Sequence, residues 1–210
     1  NAGIVESVIT NAIKYSPNAK YIIFSNPMDA MCHVALNKSG LKVNQIIGQG
    51  GMLDSARYRT FLAKESGRSV VEVNAWVLGG HTEATMVPIV SNATIGGVPL
   101  KNVLDAKTID AVVDRASKGG AEIVGLLKTG SAFVAPAFAT IEMVESIVLD
   151  QKRILPACAM LKGQYGISDA FVGVPVTLGQ NGIEEIHEFD LSKGELDNLQ
   201  KAGAAVKELV

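Results

Sequence analysis

The 210-residue sequence lacks the features that mark secreted, membrane-spanning and nucleic-acid-binding proteins. Lysine and arginine total 19 against 21 acidic residues, so there is no basic excess to neutralise a phosphate backbone. No apolar run reaches the ~18 residues that a membrane span requires. The first residues contain no basic segment of the kind that opens a signal peptide. We therefore expect a soluble cytoplasmic protein with neither a nucleic-acid partner nor a membrane partner.

Cysteine is also scarce, and the chemistry that depends on clustered ligands is missing. The two cysteines, Cys32 and Cys158, are far apart in the sequence and belong to no C-x-x-C motif. They are typical of reduced, buried thiols in a reducing compartment. No His/Cys/Asp/Glu cluster has metal-ligand spacing, and no G-x-S-x-G nucleophile motif occurs. These absences argue against a metal centre and against a serine hydrolase.

Apolar residues make up 48% of the chain, which is enough to bury a substantial core. Residues 1–50 alternate between helical periodicity over 4–13, a buried strand at 21–24, a helix over 28–38 and a strand at 43–47. Helices that alternate with short, continuously apolar strands are typical of a parallel α/β sheet. The fold class expected from this part of the chain is therefore α/β.

The predicted order of helices and strands changes after Gly48-Gln49-Gly50-Gly51, a segment that we interpret as a hinge or turn. Strands and helices now come in blocks, which favours an α+β arrangement. The sequence predicts two unequal parts joined near residue 50. In the second part it predicts helices over 53–66, 108–127 (broken or softened at Gly119-Gly120), 132–149 and 192–209, and strands over 70–78, 86–90, 93–100 (with Gly96-Gly97 at a turn or bulge), 154–160, 170–178 and 183–189. The last three strands are expected to be antiparallel. Ser192 and Glu195 form a capping box at the start of the last helix.

One histidine stands out as a candidate for chemistry. His81 follows Gly79-Gly80 at the end of a predicted strand, where a side chain is presented into a cleft. Asp54 and Arg57 lie three apart at a helix start and share one face. They are either a helix-terminal carboxylate with an ordinary surface arginine or a His–Asp pair with an arginine for a substrate carboxylate. Spacing alone does not bring Asp54 to His81.

A series of short motifs, read in order, is similar to the NAD-dependent malate dehydrogenases of the branch that resembles lactate dehydrogenase. The resemblance spans essentially the whole chain, and the order of the motifs makes it specific. They are Asn1-Ala-Gly-Ile-Val5, Phe24-Ser-Asn-Pro-Met-Asp29, Leu53-Asp-Ser-Ala-Arg57, Leu78-Gly-Gly-His81, Gly130-Ser-Ala-Phe133, Gln164-Tyr-Gly166 and Phe171-Val-Gly-Val-Pro-Val176.

The resemblance implies roles for the residues at the matching positions. His81 corresponds to the base that takes the hydroxyl proton of malate, and Asp54 to the aspartate that accepts from its other ring nitrogen. Arg57 corresponds to the arginine that holds a substrate carboxylate in a two-bond fork. Asn26 corresponds to a residue that contacts both the substrate and the nicotinamide end of the cofactor. Ala132 falls where the family places a small residue beside the substrate pocket.

The same resemblance implies NAD as cofactor, with Asn1, Phe24, Ser25 and Asn26 on the cofactor side. It implies that residues 1–50 are the C-terminal portion of a Rossmann-type NAD-binding domain and residues 51–210 an α+β catalytic domain. Its glycine-rich turn, ribose-binding acid and substrate-discriminating loop then lie outside these 210 residues. The expected partners are a small dicarboxylic acid and further copies of the chain, in a homodimer or homotetramer.

The chain departs from the family pattern after His81. Thr82 stands for the usual glycine, Glu83 for the usual aspartate, and one extra residue precedes Val87-Pro88. An insertion here bears on the position of the base, since ~1 Å of misplacement can cost ~100-fold in rate. The alternatives kept open are a lactate or other 2-hydroxyacid dehydrogenase, and an inactive module that serves oligomerisation.

Overall fold

Eight strands form one mixed sheet in the structure, a computed structural model that describes residues 1–210. The α/β class is confirmed. The strands are β1 (Tyr21–Ile23), β2 (Ile46–Gly48), β3 (Val73–Gly79), β4 (Met86–Ile95), β5 (Val98–Pro99), β6 (Arg153–Lys162), β7 (Ser168–Gly179) and β8 (Gly182–Ile186). The helices are α1 (Ala2–Tyr15), α2 (Met28–Ser39), α3 (Gly50–Ser66), α4 (Ala106–Leu127), α5 (Val134–Val148) and α6 (Lys193–Lys207). No helix combines the length and the apolar character needed to cross a membrane.

The strand order is β1-β2-β6-β7-β3-β4-β5, with β8 paired to β7. Only β1 and β2 run parallel, as the alternating pattern of residues 1–50 predicts. The remaining pairs are antiparallel, and the β6–β7 pair is a long ladder that runs from Arg153↔Leu178 to Lys162↔Ser168. The prediction of three antiparallel strands near the C-terminus is confirmed.

Two of the antiparallel junctions consist of a single residue pair each. Gly48 of β2 pairs with Cys158 of β6, and Gly79 of β3 pairs with Gly173 of β7. Cys158 and Gly173 are themselves partners in the β6–β7 ladder. Gly48, Cys158, Gly173 and Gly79 therefore form one cross-strand row, which we call the central row. It lies at the carboxyl ends of β2 and β3.

Three apolar clusters pack against the sheet. The largest joins β6 and β7 to α3, α5 and α6. A second fills the space between β3, β4, α3 and α4. The third joins α1 and α2 to β1 and β2 and also contains Cys158 and Phe171. Residues 1–50 and the long ladder therefore share buried apolar surface.

Several predicted boundaries are wrong for identifiable reasons. Residues 43–47 do not form one strand, since Val43–Gln45 is a 3₁₀ turn held by Gln45, whose side chain bonds Lys42 N–H and the carbonyls of Pro17 and Ala19. The strand predicted over 70–78 likewise begins with a 3₁₀ turn, Val70–Glu72.

The glycine pairs also mislead the sequence interpretation. Gly50 and Gly51 are the first residues of α3 and not part of a hinge. The predicted strands 86–90 and 93–100 are one strand, β4, which turns at Gly96-Gly97 into β5. Helix α4 runs unbroken through Gly119-Gly120. A Cβ at Gly119 would lie 3.1 Å from Cδ of Arg57, so the glycine provides space for a neighbouring side chain.

Candidate functional site

The main chain that carries His81 is a tight turn after β3. Gly79 has φ 89°, and a Cβ there would collide with the Thr85 carbonyl oxygen, so this position requires glycine. Gly80 N–H donates to the same carbonyl at 3.0 Å. The turn ends β3 at the central row and directs the chain to His81.

The Asp54 carboxylate meets the His81 ring at 2.6 Å, between Oδ2 and Nδ1, although the residues are 27 positions apart. Helix α3 is joined to β3 at this level, because Ser55 Oγ accepts the Val77 N–H at 2.9 Å. An ionised carboxylate only accepts hydrogen bonds, so Nδ1 carries the proton. The tautomer of neutral His81 is thereby fixed, with Nε2 as the basic nitrogen.

The first turn of α3 touches the imidazole as well. A Cβ at Gly50 would lie 2.7 Å from Cγ of His81 and 2.8 Å from its Cβ. Such contacts are far below van der Waals distance and involve the root of the side chain, which has little freedom to move. Gly50 is thus a site residue that the sequence interpretation missed, since it took this segment for a hinge.

Arg57 lies one turn along α3 from Asp54. Its Nη1 is 3.4 Å from Asp54 Oδ1, and its side chain is only 12% exposed. Its Nε is buried and has no hydrogen-bond partner in the protein. The Nε lies beside Gly119 of α4, where a Cβ would be 3.7 Å from it. Arg57 also lines the cavity described below, so its guanidinium can offer N–H donors to a ligand oxygen there. The alternative of an ordinary surface arginine does not fit this burial.

The electrostatics favour a protonatable histidine. Burial opposes the charged form of His81, but the hydrogen bond and the charge of Asp54, with a further contribution from Asp29, raise its pKa above the ordinary value. Arg57 acts in the opposite direction. The charges of Asp54 and Asp29 therefore favour the protonated form of His81.

A cavity of about 290 Å³ opens beside these groups. His81 and Arg57 supply its hydrogen-bonding chemistry, and a mostly small or apolar wall surrounds them. The cavity therefore presents a protonatable imidazole and a guanidinium side by side. The lining residues are Phe24, Asn26, Leu53, Arg57, His81, Thr82, Glu83, Met86, Ser117, Gly120, Ala121, Val124, Ser131, Ala132 and Pro136.

The residues predicted for the cofactor side occupy the end of β1. Phe24 and Asn26 line the cavity, and Ser25 between them is exposed but does not line it. Asn1 lies outside the cavity but contacts a residue that lines it, because its Nδ2 donates to the Asn26 carbonyl at 2.5 Å. The Asn26–Pro27 peptide bond is cis. The structure therefore brings Phe24 and Asn26 to His81 and leaves Asn1 and Ser25 at the rim.

The altered segment after His81 forms a closed turn. Thr82 accepts the N–H groups of Thr85 and Met86 at its carbonyl oxygen, and the Thr82 and Thr85 hydroxyls lie 2.6 Å apart. These bonds accommodate the extra residue within the turn. The His81 ring keeps its contact with Asp54.

The comparisons with known proteins agree on one family. The family model described as the lactate/malate dehydrogenase NAD-binding domain matches residues 1–48, and that of the lactate/malate dehydrogenase α/β C-terminal domain matches residues 51–210. A malate dehydrogenase of Chlorobium phaeobacteroides is 49% identical over 208 residues, which cover 99% of this chain and 67% of that protein. A malate dehydrogenase of Halalkalibacterium halodurans is 47% identical over 210 residues, with 100% and 67% covered.

Solved structures give the same picture. Cryptosporidium parvum malate dehydrogenase superposes with a TM-score of 0.96 at 41% identity, covering 100% of this chain and 68% of that one. The lactate dehydrogenase of the same organism, complexed with lactic acid and nicotinamide adenine dinucleotide, has a TM-score of 0.96 at 37% identity, with 100% and 67% covered. The chain thus spans about two thirds of the length of these relatives.

Proposed function

Because this chain belongs to the lactate/malate dehydrogenase family, we propose that its activity is the reversible NAD-dependent oxidation of malate to oxaloacetate. The observation that carries the proposal is the His81–Asp54 pair beside Arg57, whose buried Nε lacks a partner, at one cavity. Malate is favoured over lactate because the relatives at 46–50% identity are named malate dehydrogenases. The lactate dehydrogenase structures are 34–37% identical.

His81 is the general base in malate oxidation. Its Nε2 takes the proton of the C2 hydroxyl as the C2 hydrogen leaves as hydride, and the carbon–oxygen bond becomes a carbonyl. Asp54 holds the ring in the required tautomer through Nδ1 and stabilises the imidazolium that forms. In the reverse direction the imidazolium returns the proton to the carbonyl oxygen of oxaloacetate.

Arg57 binds the substrate carboxylate. A guanidinium offers a planar pair of N–H donors that matches the two oxygens of a carboxylate, which an ammonium does not. Burial of Arg57 and Asp54 strengthens this contact, since the local dielectric is lower than that of water. The arginine therefore sets the orientation of the C2 hydroxyl relative to His81.

The end of β1 fits the nicotinamide end of NAD, which supplies the hydride acceptor when bound. Ligands of open α/β sheets lie at the carboxyl ends of parallel strands, and β1 and β2 are the parallel pair here. Phe24, 48% exposed, presents an aromatic face at the cavity, and Asn26 presents an exposed amide beside it. Ser25 and Asn1 extend this surface at the rim.

The proposal includes the organisation of the molecule. Residues 1–50 serve the cofactor side and residues 51–210 the substrate side, a division supported by the two family-model ranges, which meet between 48 and 51. A homodimer or homotetramer is supported by large apolar side chains exposed on α5, such as Phe138. A cytoplasmic location is supported by the buried, unpaired thiols of Cys32 and Cys158.

The test is the turnover of oxaloacetate and pyruvate with NADH by the complete gene product and by its His81→Asn variant. We expect kcat/KM to favour oxaloacetate, and His81→Asn to lower kcat by ~10² to 10⁴-fold, the usual contribution of a general base. His187→Asn is the matched control, because the His187 ring is hydrogen-bonded to the Thr177 hydroxyl and does not line the cavity. A preference for pyruvate would identify a lactate dehydrogenase, and no turnover of either substrate would identify an inactive module.

A further inference from the structure

A second buried carboxylate lies beside His81 and is not part of the cavity lining. Asp29, in the first turn of α2, is 4% exposed. Its Oδ2 accepts the main-chain N–H of His81 at 2.8 Å, and its Oδ1 accepts from the Cys158 thiol at 3.2 Å. The carboxylate thus joins α2, the central row and the turn that carries the base.

Asp29 has no cationic side chain as a partner. Burial raises its pKa, whereas the hydrogen bonds from His81 N–H and the Cys158 thiol favour the ionised form. Burial also raises the pKa of Cys158, so the thiol keeps its proton and acts as the donor. The position of Asp29 at the start of a helix further favours a negative charge.

We propose that Asp29 is a positioning residue for His81: it fixes the main chain from which the imidazole projects and places a second fixed negative charge beside the imidazolium formed in catalysis. The proposal rests on the assignment of His81 as the base. It adds to that assignment a residue from α2, a helix that contributes no group to the cavity lining.

Three hydrogen bonds hold the turn that carries His81 in place. Gly80 N–H is bound to the Thr85 carbonyl, His81 N–H to Asp29, and the His81 ring to Asp54. Gly79 and Gly80 have no side chains of their own to hold this segment. Without the Asp29 carboxylate, the main-chain N–H of His81 would lose its hydrogen-bond acceptor. The ring would then be held only by its hydrogen bond to Asp54.

Four charged side chains lie around His81. Asp54 and Arg57 approach it from α3, Asp29 from α2, and Glu83 lies two residues further along the same turn. The Asp29 charge is among the causes that raise the pKa of His81. A neutral group of the same shape at position 29 therefore separates the effect of charge from that of geometry.

The experiment compares Asp29→Asn with the unsubstituted complete gene product. The amide keeps an oxygen for the His81 N–H and removes the charge. The pKa of His81 can be followed directly by NMR of the imidazole resonances, with the His81 resonance assigned by its loss in His81→Asn. We expect a lower His81 pKa and a kcat–pH profile for malate oxidation shifted to lower pH, because the neutral base then prevails at lower pH.

Asp29→Ala removes the tether as well as the charge. We expect it to lower kcat by about 10- to 100-fold, the effect of misplacing a reacting group by about 1 Å, with a smaller change in the KM for malate. Asp105→Asn, the same charge removal at an exposed helix N-cap remote from the site, is the control and leaves the His81 pKa unchanged.

Two results would overturn the proposal. One is an unchanged His81 pKa in Asp29→Asn, and the other is kcat within twofold of the unsubstituted protein in a folded Asp29→Ala. If Asp29→Ala does not fold, Asp29→Asn alone decides through the NMR titration. Because that titration needs no turnover, failure of the malate dehydrogenase assignment would leave it readable.

Discussion

The two sides of the cavity are built differently. On the substrate side the side chains of Asp54, Arg57 and His81 are 2%, 12% and 16% exposed, and they contact one another. On the proposed cofactor side Phe24 is 48% exposed. Asn26 is also exposed, and its main-chain carbonyl accepts from the Asn1 side chain. The substrate side is fixed before any ligand arrives, whereas the cofactor side offers an open strand end. Changes on the first side should act on the chemical step, and changes on the second on cofactor binding.

Among variants that leave His81 in place, the largest effect is expected where the proposed substrate side has no free space. Gly50→Ala places a methyl group against the root of the His81 side chain, so the ring must move away from Asp54. We expect kcat to fall by ~100-fold while the fold is retained. Steady-state kinetics with a thermal melt measure both quantities. Gly194→Ala in α6, where a Cβ meets nothing within 4 Å, is the control; equal kinetics in the two variants would contradict the close packing described here.

Arg57→Lys should have the next largest effect. The lysine keeps the charge but loses the fork, so one charge-assisted hydrogen bond worth ~1.5–3 kcal/mol disappears, or about 10- to 100-fold in kcat/KM for malate. The KM for NADH should change little. Arg115→Lys is the matched control, because Arg115 pairs with Glu122 at the surface. A kcat/KM for malate equal to that of the unsubstituted protein would refute the carboxylate contact.

The smallest effect is expected on the cofactor side. Phe24→Ala removes an aromatic face from an open strand end, so we expect the KM for NADH to rise several-fold at an almost unchanged kcat. Tyr15→Ala, at a residue 88% exposed at the end of α1 and outside the cavity, controls for loss of an exposed ring. A fall in kcat as large as that of Gly50→Ala would show that the two sides are not distinct in the way proposed.

Local patterns were sufficient for most of the fold. The Ser192–Glu195 capping box predicts the start of α6, and the structure confirms it. The continuous apolar run at residues 21–24 predicts a strand buried on both faces. The strand is present as β1, but it lies at the edge of the sheet, only Ile23 is buried, and Phe24 is 48% exposed. Errors arise where a long-range contact decides. Gly50-Gly51 resembles a hinge in the local sequence, but Gly50 makes room for His81 and Gly51 makes room for Pro156. Gly119-Gly120 resembles a helix break, but Gly119 makes room for Arg57. All three neighbours are distant in the sequence.

The candidate site shows the same limit. Motif resemblance suggested His81, Asp54 and Arg57, and spacing placed Asp54 and Arg57 on one helix face, yet only the pairing of β3 with β7 and the packing of α3 bring Asp54 to His81. Asp29 lies within one of the motifs, but its local sequence indicates no role for it. Its partners are a main-chain N–H and a thiol far along the chain, and neither leaves a signal in local sequence.

The central row also has a consequence for how the protein comes apart. Within the sheet, β2 and β3 each pair with the long β6–β7 ladder at one residue, so amide hydrogen exchange should divide the sheet into a slowly exchanging centre and two faster flanks. Asp29 and Gly50 lie beyond one of these attachments and His81 beyond the other. A partial opening at either attachment would therefore separate the base from its partners while most of the backbone amides remain protected, so denaturant should abolish turnover before it unfolds the centre.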